Sequence, residues 1–247
     1  MNGILLSVLG YSLLPVAATI TGATIAVFRQ PSATLRSVIQ HFAAGVVFSV
    51  VAVELLPDVM KEHNATATAI GFALGVAVML GIKKLGGEAA GKVVKGEELQ
   101  SAEPISKAMI FGVGVDILID GFLIGIGFAA GAKEGKLLVL ALTVELLSLG
   151  LAIASTMLQS KSPRLKIVLT TTGLSLLIVV GAMIGATVLQ KVSAETLEAV
   201  LSFGLAALLF LVTEELLTEA HEVPETPLIT SSFFAGFLLF LILGMVG

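Results

Sequence analysis

Eight stretches of this 247-residue chain are apolar for long enough to cross a bilayer's hydrocarbon core, which takes about 20 residues of helix. They run over roughly 3–28, 35–57, 66–83, 106–130, 136–158, 166–189, 197–217 and 228–246. Lipid offers the backbone no hydrogen-bond partners, so such stretches must satisfy themselves as helices. The expected class is therefore all-α: a polytopic membrane protein of eight transmembrane helices. Composition agrees, with 56% hydrophobic and 13% charged residues where a soluble domain carries roughly 25% charge. The third stretch has the shortest apolar core. The first lacks the charged start and small-residue cleavage site of a secretory signal and reads as a mature helix. Gly71–Gly75, Gly121–Gly125 and Gly181–Gly185 have the GxxxG spacing that lets helix backbones meet closely, and read as packing signals.

Charge sets the orientation. With no Trp and one Tyr, helix ends are placed from charged residues rather than from an aromatic belt. One set of loops carries Arg29, Arg36, Lys83, Lys84, Lys92, Lys95, Lys107, Lys161, Arg164 and Lys166; the other carries Lys61, Lys133, Lys136 and Lys191. Ten against four places the first set in the cytoplasm and both termini outside, in an integral protein of the cell (plasma) membrane. The segment at about 84–105, between the third and fourth helices, is polar and charge-mixed and reads as a mobile cytoplasmic linker. Residues 1–247 form a single transmembrane domain.

Against this apolar background three acids stand out. Asp116 and Asp120 lie within KAMIFGVGVDILIDGFLIGIGFAAGA, and Glu145 within KLLVLALTVELLSLGLAIASTM. A carboxylate at the bilayer centre costs at least ~2.5–3.5 kcal/mol. Asp116 and Asp120 are four apart and share a helix face, so either one is protonated or a cation lies between them. At about 1.5 Å of rise per residue, Glu145 on the antiparallel fifth helix reaches a similar depth. Hard oxygen ligands converging in this way suit a divalent cation, and zero cysteines exclude thiolate ligands and disulfides.

Further acids lie toward the helix ends. Glu54, three residues before Pro57, and then Asp58 stand near the outer end of the second helix. The seventh helix ends in LVTEELLTEAHEVPET, with Glu214, Glu215, Glu219, His221, Glu222 and Glu225. Outer acids, central trio and inner acids would form a negative staircase that concentrates cations. Glu222 and Glu225 read as a solvated helix end, whereas apolar neighbours draw Glu214 and Glu215 into the site. His41 reads as interfacial, and His63, in KEHNATAT, as solvent-exposed.

These segments resemble the ZIP (Zrt/Irt-like) metal-ion transporter family over nearly the whole chain. FAAGVVFSVVAVELLPD (42–58) is similar to that family's FAAG…HLLP segment, with Glu54 at the histidine position. DILIDGFLIGIGF (116–128) resembles its fourth-helix H-N-x-x-[DE]-G segment: Asp116 stands at the His, Ile117 at the Asn and Asp120 at the acid. ELLSLGLAIA (145–154) resembles its fifth-helix H/Q-[DE]-x-P-[EH]-G segment: Glu145 matches the first ligand, while Leu146 and Leu149 replace two more. LVTEELLTEAHE (211–222) is similar to the inner end of its seventh helix and brings His221 onto a family position. A sixth-helix acid of some members would fall at Leu176. The resemblance implies eight helices and a central site, binuclear in the family, that keeps here one all-carboxylate metal position. The cargo is then a divalent ion of the Zn, Mn, Fe or Mg class, moved into the cytoplasm by alternating access, with no resident cofactor and no enzymatic activity.

In that expectation Glu54 and Asp58 attract the ion, Asp116, Asp120 and Glu145 hold it, and Glu214, Glu215, Glu219 and His221 receive it. The partners are membrane lipid and divalent ions, with no nucleic acid; a homodimer is an open arrangement. Two alternatives are a proton-coupled carrier of another solute and a transport-inactive relative with a structural or sensing role. An intramembrane aspartyl protease fits poorly, because its two aspartates would have to come from different helices to share a proton.

Overall fold

The structure, a computed structural model, describes residues 2–61, 64–94, 107–189 and 192–246. The described residues contain no strand and eight helices long and apolar enough to cross a membrane. They are α1 (Asn2–Phe28), α2 (Ala33–Lys61), α3 (Ala65–Val94), α4 (Lys107–Ala130), α5 (Ala132–Gln159), α6 (Arg164–Leu189), α7 (Glu195–Ala220) and α8 (Pro227–Val246). The chain is an all-α polytopic membrane protein.

Local chemistry sets the helix starts. Ser32 accepts a hydrogen bond from the Leu35 N–H at 3.2 Å, and Ser193 accepts one from Thr196 at 3.3 Å, each at an N-cap. Asn64 Oδ1 does the same for Ala67 at 3.1 Å. Thr226 Oγ1 caps α8 through Ile229 at 3.3 Å, and Pro227 takes the first helical position, where a missing N–H costs nothing. Gly131 alone joins α4 to α5.

Several helices outrun their apolar cores. α2 continues to Lys61, α7 reaches Ala220 and α5 begins at Ala132. α3 runs on to Val94, which corrects the expected linker from 84 onward: its Ala-, Lys- and Glu-containing sequence propagates a helix already nucleated in the membrane. The rest of that linker, and His63, lie outside the described residues.

The spans pack as four close pairs, α1 with α5, α2 with α8, α3 with α7 and α4 with α6. Small residues permit the approach. A Cβ at Gly121 would collide with the Ile178 carbonyl, and one at Gly181 with the Leu118 carbonyl, so α4 and α6 meet backbone to backbone. Gly71 and Gly75 bring α3 against Ala199 and Phe203 of α7 in the same way.

The pairing leaves some helices central and others against lipid. In its most apolar window 72% of α5 is buried, against 17% of α3 and 22% of α8; α4, α7 and α2 follow α5 at 61%, 61% and 56%. The four inner helices carry all the membrane-embedded acids singled out from the sequence. Two of the four also change pitch beside those acids. In α2 the turn Val51–Leu55 is π-helical and contains Glu54, with the Leu56 N–H donating to Val51 O. Pro57, which would crowd the carbonyl four residues back, follows directly and explains the wider turn. In α7 the π-helical turn is Leu211–Leu216 and contains Glu214 and Glu215. There the Thr218 hydroxyl donates to Thr213 O at 3.3 Å, taking up a carbonyl of the widened turn.

Candidate functional site

Asp120 on α4 and Glu145 on α5 are 2% and 3% exposed, on two of the most buried spans. Asp116, one turn from Asp120, is half-buried. Ile117, next to Asp116, is wholly buried in the apolar core, as is Leu146 beside Glu145. One oxygen of each inner acid, Asp120 Oδ2 and Glu145 Oε2, is buried without a hydrogen-bond partner. Buried polar atoms are nearly always paired; four serine hydroxyls among the described residues are unpaired too, but these two are the carboxylate oxygens of the set, and a proton or a cation would satisfy either one.

α7 supplies the rest of the group. The acids acting on Glu145 are Asp120, Asp116, Glu215 and Glu219, and those acting on Glu215 are Asp116, Asp120 and Glu219. Glu215 and Glu219 thus belong electrostatically with the central trio rather than forming a separate later step. The basic groups acting on this cluster sit at its edge: Lys83 on Glu215 and Arg36 on Glu219. The π-helical turn rotates Glu215 relative to a regular helix, placing it half-buried while Glu214 faces out. Glu214 is half-exposed and pairs with Lys83 at 2.8 Å, which takes it out of the central group.

The outer acids form a group of their own. Glu54 is buried and faces Lys133 at 3.7 Å, and Lys133 Nζ also donates to Gly244 O at 2.7 Å. Asp58 pairs with Lys61 at 2.6 Å. The expected staircase is therefore interrupted: Glu54 is latched by a lysine from the α4–α5 end, and the groups acting on it are Lys133, Glu134 and Asp58.

At the other end of the bundle α2 is clamped onto α7. Ser37 Oγ donates to Ala220 O at 2.7 Å, and the Gln40 amide donates to Glu219. A small polar cavity opens here beside Arg36, Gln40, Glu219, Glu222 and Ala152. Ala152 lies two turns along α5 from Glu145, so about 10 Å separates the cavity from the central acids. His41, expected at the interface, is instead 3% exposed, with its ring centroid 5.1 Å from that of His221. Glu225 is exposed to solvent, as expected, and pairs there with His221 at 2.7 Å.

Among the described residues, the group of three side chains whose ligand atoms lie within 4.8 Å of one another is His41, His221 and Glu225. Asp116, Asp120 and Glu145 do not close to that distance. From the sequence Gln40 has no assigned role, Lys133 counts only as a loop charge, and His41 and Glu225 read as interfacial and solvated. The spacing His221–Glu225 at i, i+4 was the available signal for the last; nothing local marks the others, whose partners come from distant helices.

No protein-family model matches the chain, and no curated protein matches it. The fold and the buried acid cluster together describe a polytopic membrane protein of transporter-like build, with carboxylates gathered on its inner helices.

Proposed function

We propose that the chain carries a divalent metal ion across the membrane through Asp116, Asp120, Glu145 and Glu215, releasing it past Glu219 to the cytoplasm. The observation that carries this reading is the pair of buried, unpartnered oxygens on Asp120 and Glu145, set among further carboxylates. A divalent cation satisfies several of these charges at once, which no single hydrogen-bond donor can do. Carboxylate oxygens favour harder ions, and the absence of imidazole and thiolate from the four removes zinc's usual ligand advantage without inverting the general affinity order.

Alternating access assigns roles to the rest. Glu54 collects the ion outside once Lys133 leaves it, and the cation replaces the ammonium. The π-helical turns of α2 and α7 are natural places for these helices to flex. Inside, the cavity by Gln40 and Glu219 leads out. The resemblance of the α2, α4, α5 and α7 segments to ZIP transporters supports the same reading, with both termini outside the plasma membrane and the chain a carrier rather than an enzyme. Anomalous scattering from crystals soaked in Mn²⁺ tests the site: density beside Asp120 and Glu145 is expected, and Mn²⁺ bound only elsewhere contradicts it.

A further inference from the structure

The central acids offer only oxygen, yet two imidazoles meet at the end of the bundle where α2 begins and α7 finishes. His41 comes from the buried side of α2, His221 caps the C-terminal end of α7, and Glu225 comes from the connection to α8. The rings stand 5.1 Å apart, tilted by 58°. A ring nitrogen of each and a Glu225 oxygen lie within 4.8 Å of one another.

The main chain has already oriented both rings. His41 Nδ1 lies 2.9 Å from Ser37 O, and His221 Nδ1 bonds Leu217 O, each one helical turn back. A carbonyl only accepts, so Nδ1 carries the hydrogen in both rings, and Nε2 is the nitrogen left to coordinate. Metal-bound histidines are held in this way, with the other ring N–H on a carbonyl or carboxylate. Ser37 also donates to Ala220 O at 2.7 Å, fixing the end of α7 against α2 and hence the two rings against each other. The third ligand is close by: Glu225 Oε1 is 2.7 Å from His221 Nε2, a hydrogen-bond distance with room for one proton. A metal ion taking that proton's place moves the two atoms apart to about 3.3 Å, the spacing of tetrahedral zinc ligands.

We propose that His41, His221 and Glu225 form a second divalent-cation site at this mouth, one that takes ions of the zinc class. Two imidazoles and a carboxylate leave a fourth position for water, the open tetrahedral arrangement that zinc adopts where its ligands must exchange. Imidazole ligation suits Zn²⁺, Co²⁺ and Ni²⁺ over Mn²⁺ and Mg²⁺, so the mouth discriminates where the all-oxygen centre does so weakly. A bound ion ties α2 to the α7–α8 connection and sits beside the cavity lined by Gln40 and Glu219. Its position on an exit route rests on the reading of the chain as a metal carrier; the binding of the ion does not.

The test uses the full-length protein in detergent with the centre silenced by Asp120→Asn, titrated calorimetrically with Zn²⁺ and with Mn²⁺. One Zn²⁺ should bind, at least tenfold more tightly than Mn²⁺, and X-ray absorption should show two nitrogen ligands at about 2.0–2.1 Å. Adding His221→Ala, or separately His41→Ala, should weaken Zn²⁺ at least about tenfold, in line with the loss of one ligand. His221 and Glu225 are half-exposed, so His221→Ala and Glu225→Gln leave the core untouched. Zn²⁺ binding unchanged by His41→Ala and His221→Ala, or an all-oxygen ligand shell, overturns the proposal while leaving the central site standing. Two nitrogens at the mouth in a chain whose wild type binds no central ion would sink the carrier reading and leave this site intact.

Discussion

At the scale of single residues, the account turns on what stands beside each acid. Ile117 and Leu146 are wholly buried in apolar contacts, and Leu176 is 50% exposed on the outer side of α6. None can offer a ligand, so one ion rather than two should bind at the centre. Mn²⁺ calorimetry on a His221→Ala background should give one central ion per chain; two ions about 4 Å apart would contradict the account. Asp120→Asn removes one of a set of mutually repelling charges, so the metal-free variant should melt no lower than wild type. On the same His221→Ala background, Mn²⁺ at ten times its Kd should stabilise the chain with Asp120 intact by about 1.4 kcal/mol and leave the Asp120→Asn chain's Tm unmoved. The central trio stands out in the sequence because an acid inside an apolar run is costly; a neutral, hydrogen-bonded acid is the plainer reading of any one of them, and three at one depth weigh against it. His41 does not stand out, because the residue that gives it meaning, His221, lies on another helix at the far end of the chain.

At the scale of elements, helix pairing and helix pitch govern the site. The α4–α6 crossing holds the helix bearing Asp116 and Asp120. Gly181→Ala would drive a Cβ into the Leu118 carbonyl, which cannot yield as a side chain can. It should destabilise the protein by about 1–3 kcal/mol, read as a lowered Tm in detergent. The three GxxxG pairs were legible as packing signals, but which helix each would meet was not. Nor were the π-helical turns, since bonding five residues back arises from what the helix packs against; only Pro57 hinted at one. Lys133 illustrates the same limit: one lysine in a loop reads as solvated until α8 brings Gly244 O within 2.7 Å of it. As the latch on Glu54, its loss should favour the state open at that end. A chain without cysteines makes this measurable. Ser49→Cys, on α2 toward Glu54, should react with an impermeant maleimide about two- to fivefold faster when Lys133→Ala is added, the range a partly exposed ion pair supports. An unchanged rate would remove Lys133 from any gating role.

At the scale of the whole molecule, eight helices followed from eight apolar runs because lipid leaves the backbone no other choice. Helix ends were less legible: charged and small residues carry α3 to Val94 and α2 to Lys61 beyond the hydrocarbon. An even number of spans puts both termini on one side, and the ten basic residues of the opposite loops predict that this side is outside. Four inner helices then present acids to one another while four outer helices shield them from lipid. That division fits the proposed passage of a doubly charged ion through a layer hostile to charge. Uptake of Mn²⁺ and Zn²⁺ into liposomes containing the purified protein tests this most directly. The wild type should accumulate both ions above protein-free liposomes, and a folded Asp120→Asn variant should fall to the protein-free level. Equal uptake by the two proteins, or none by a folded wild type, would contradict the account.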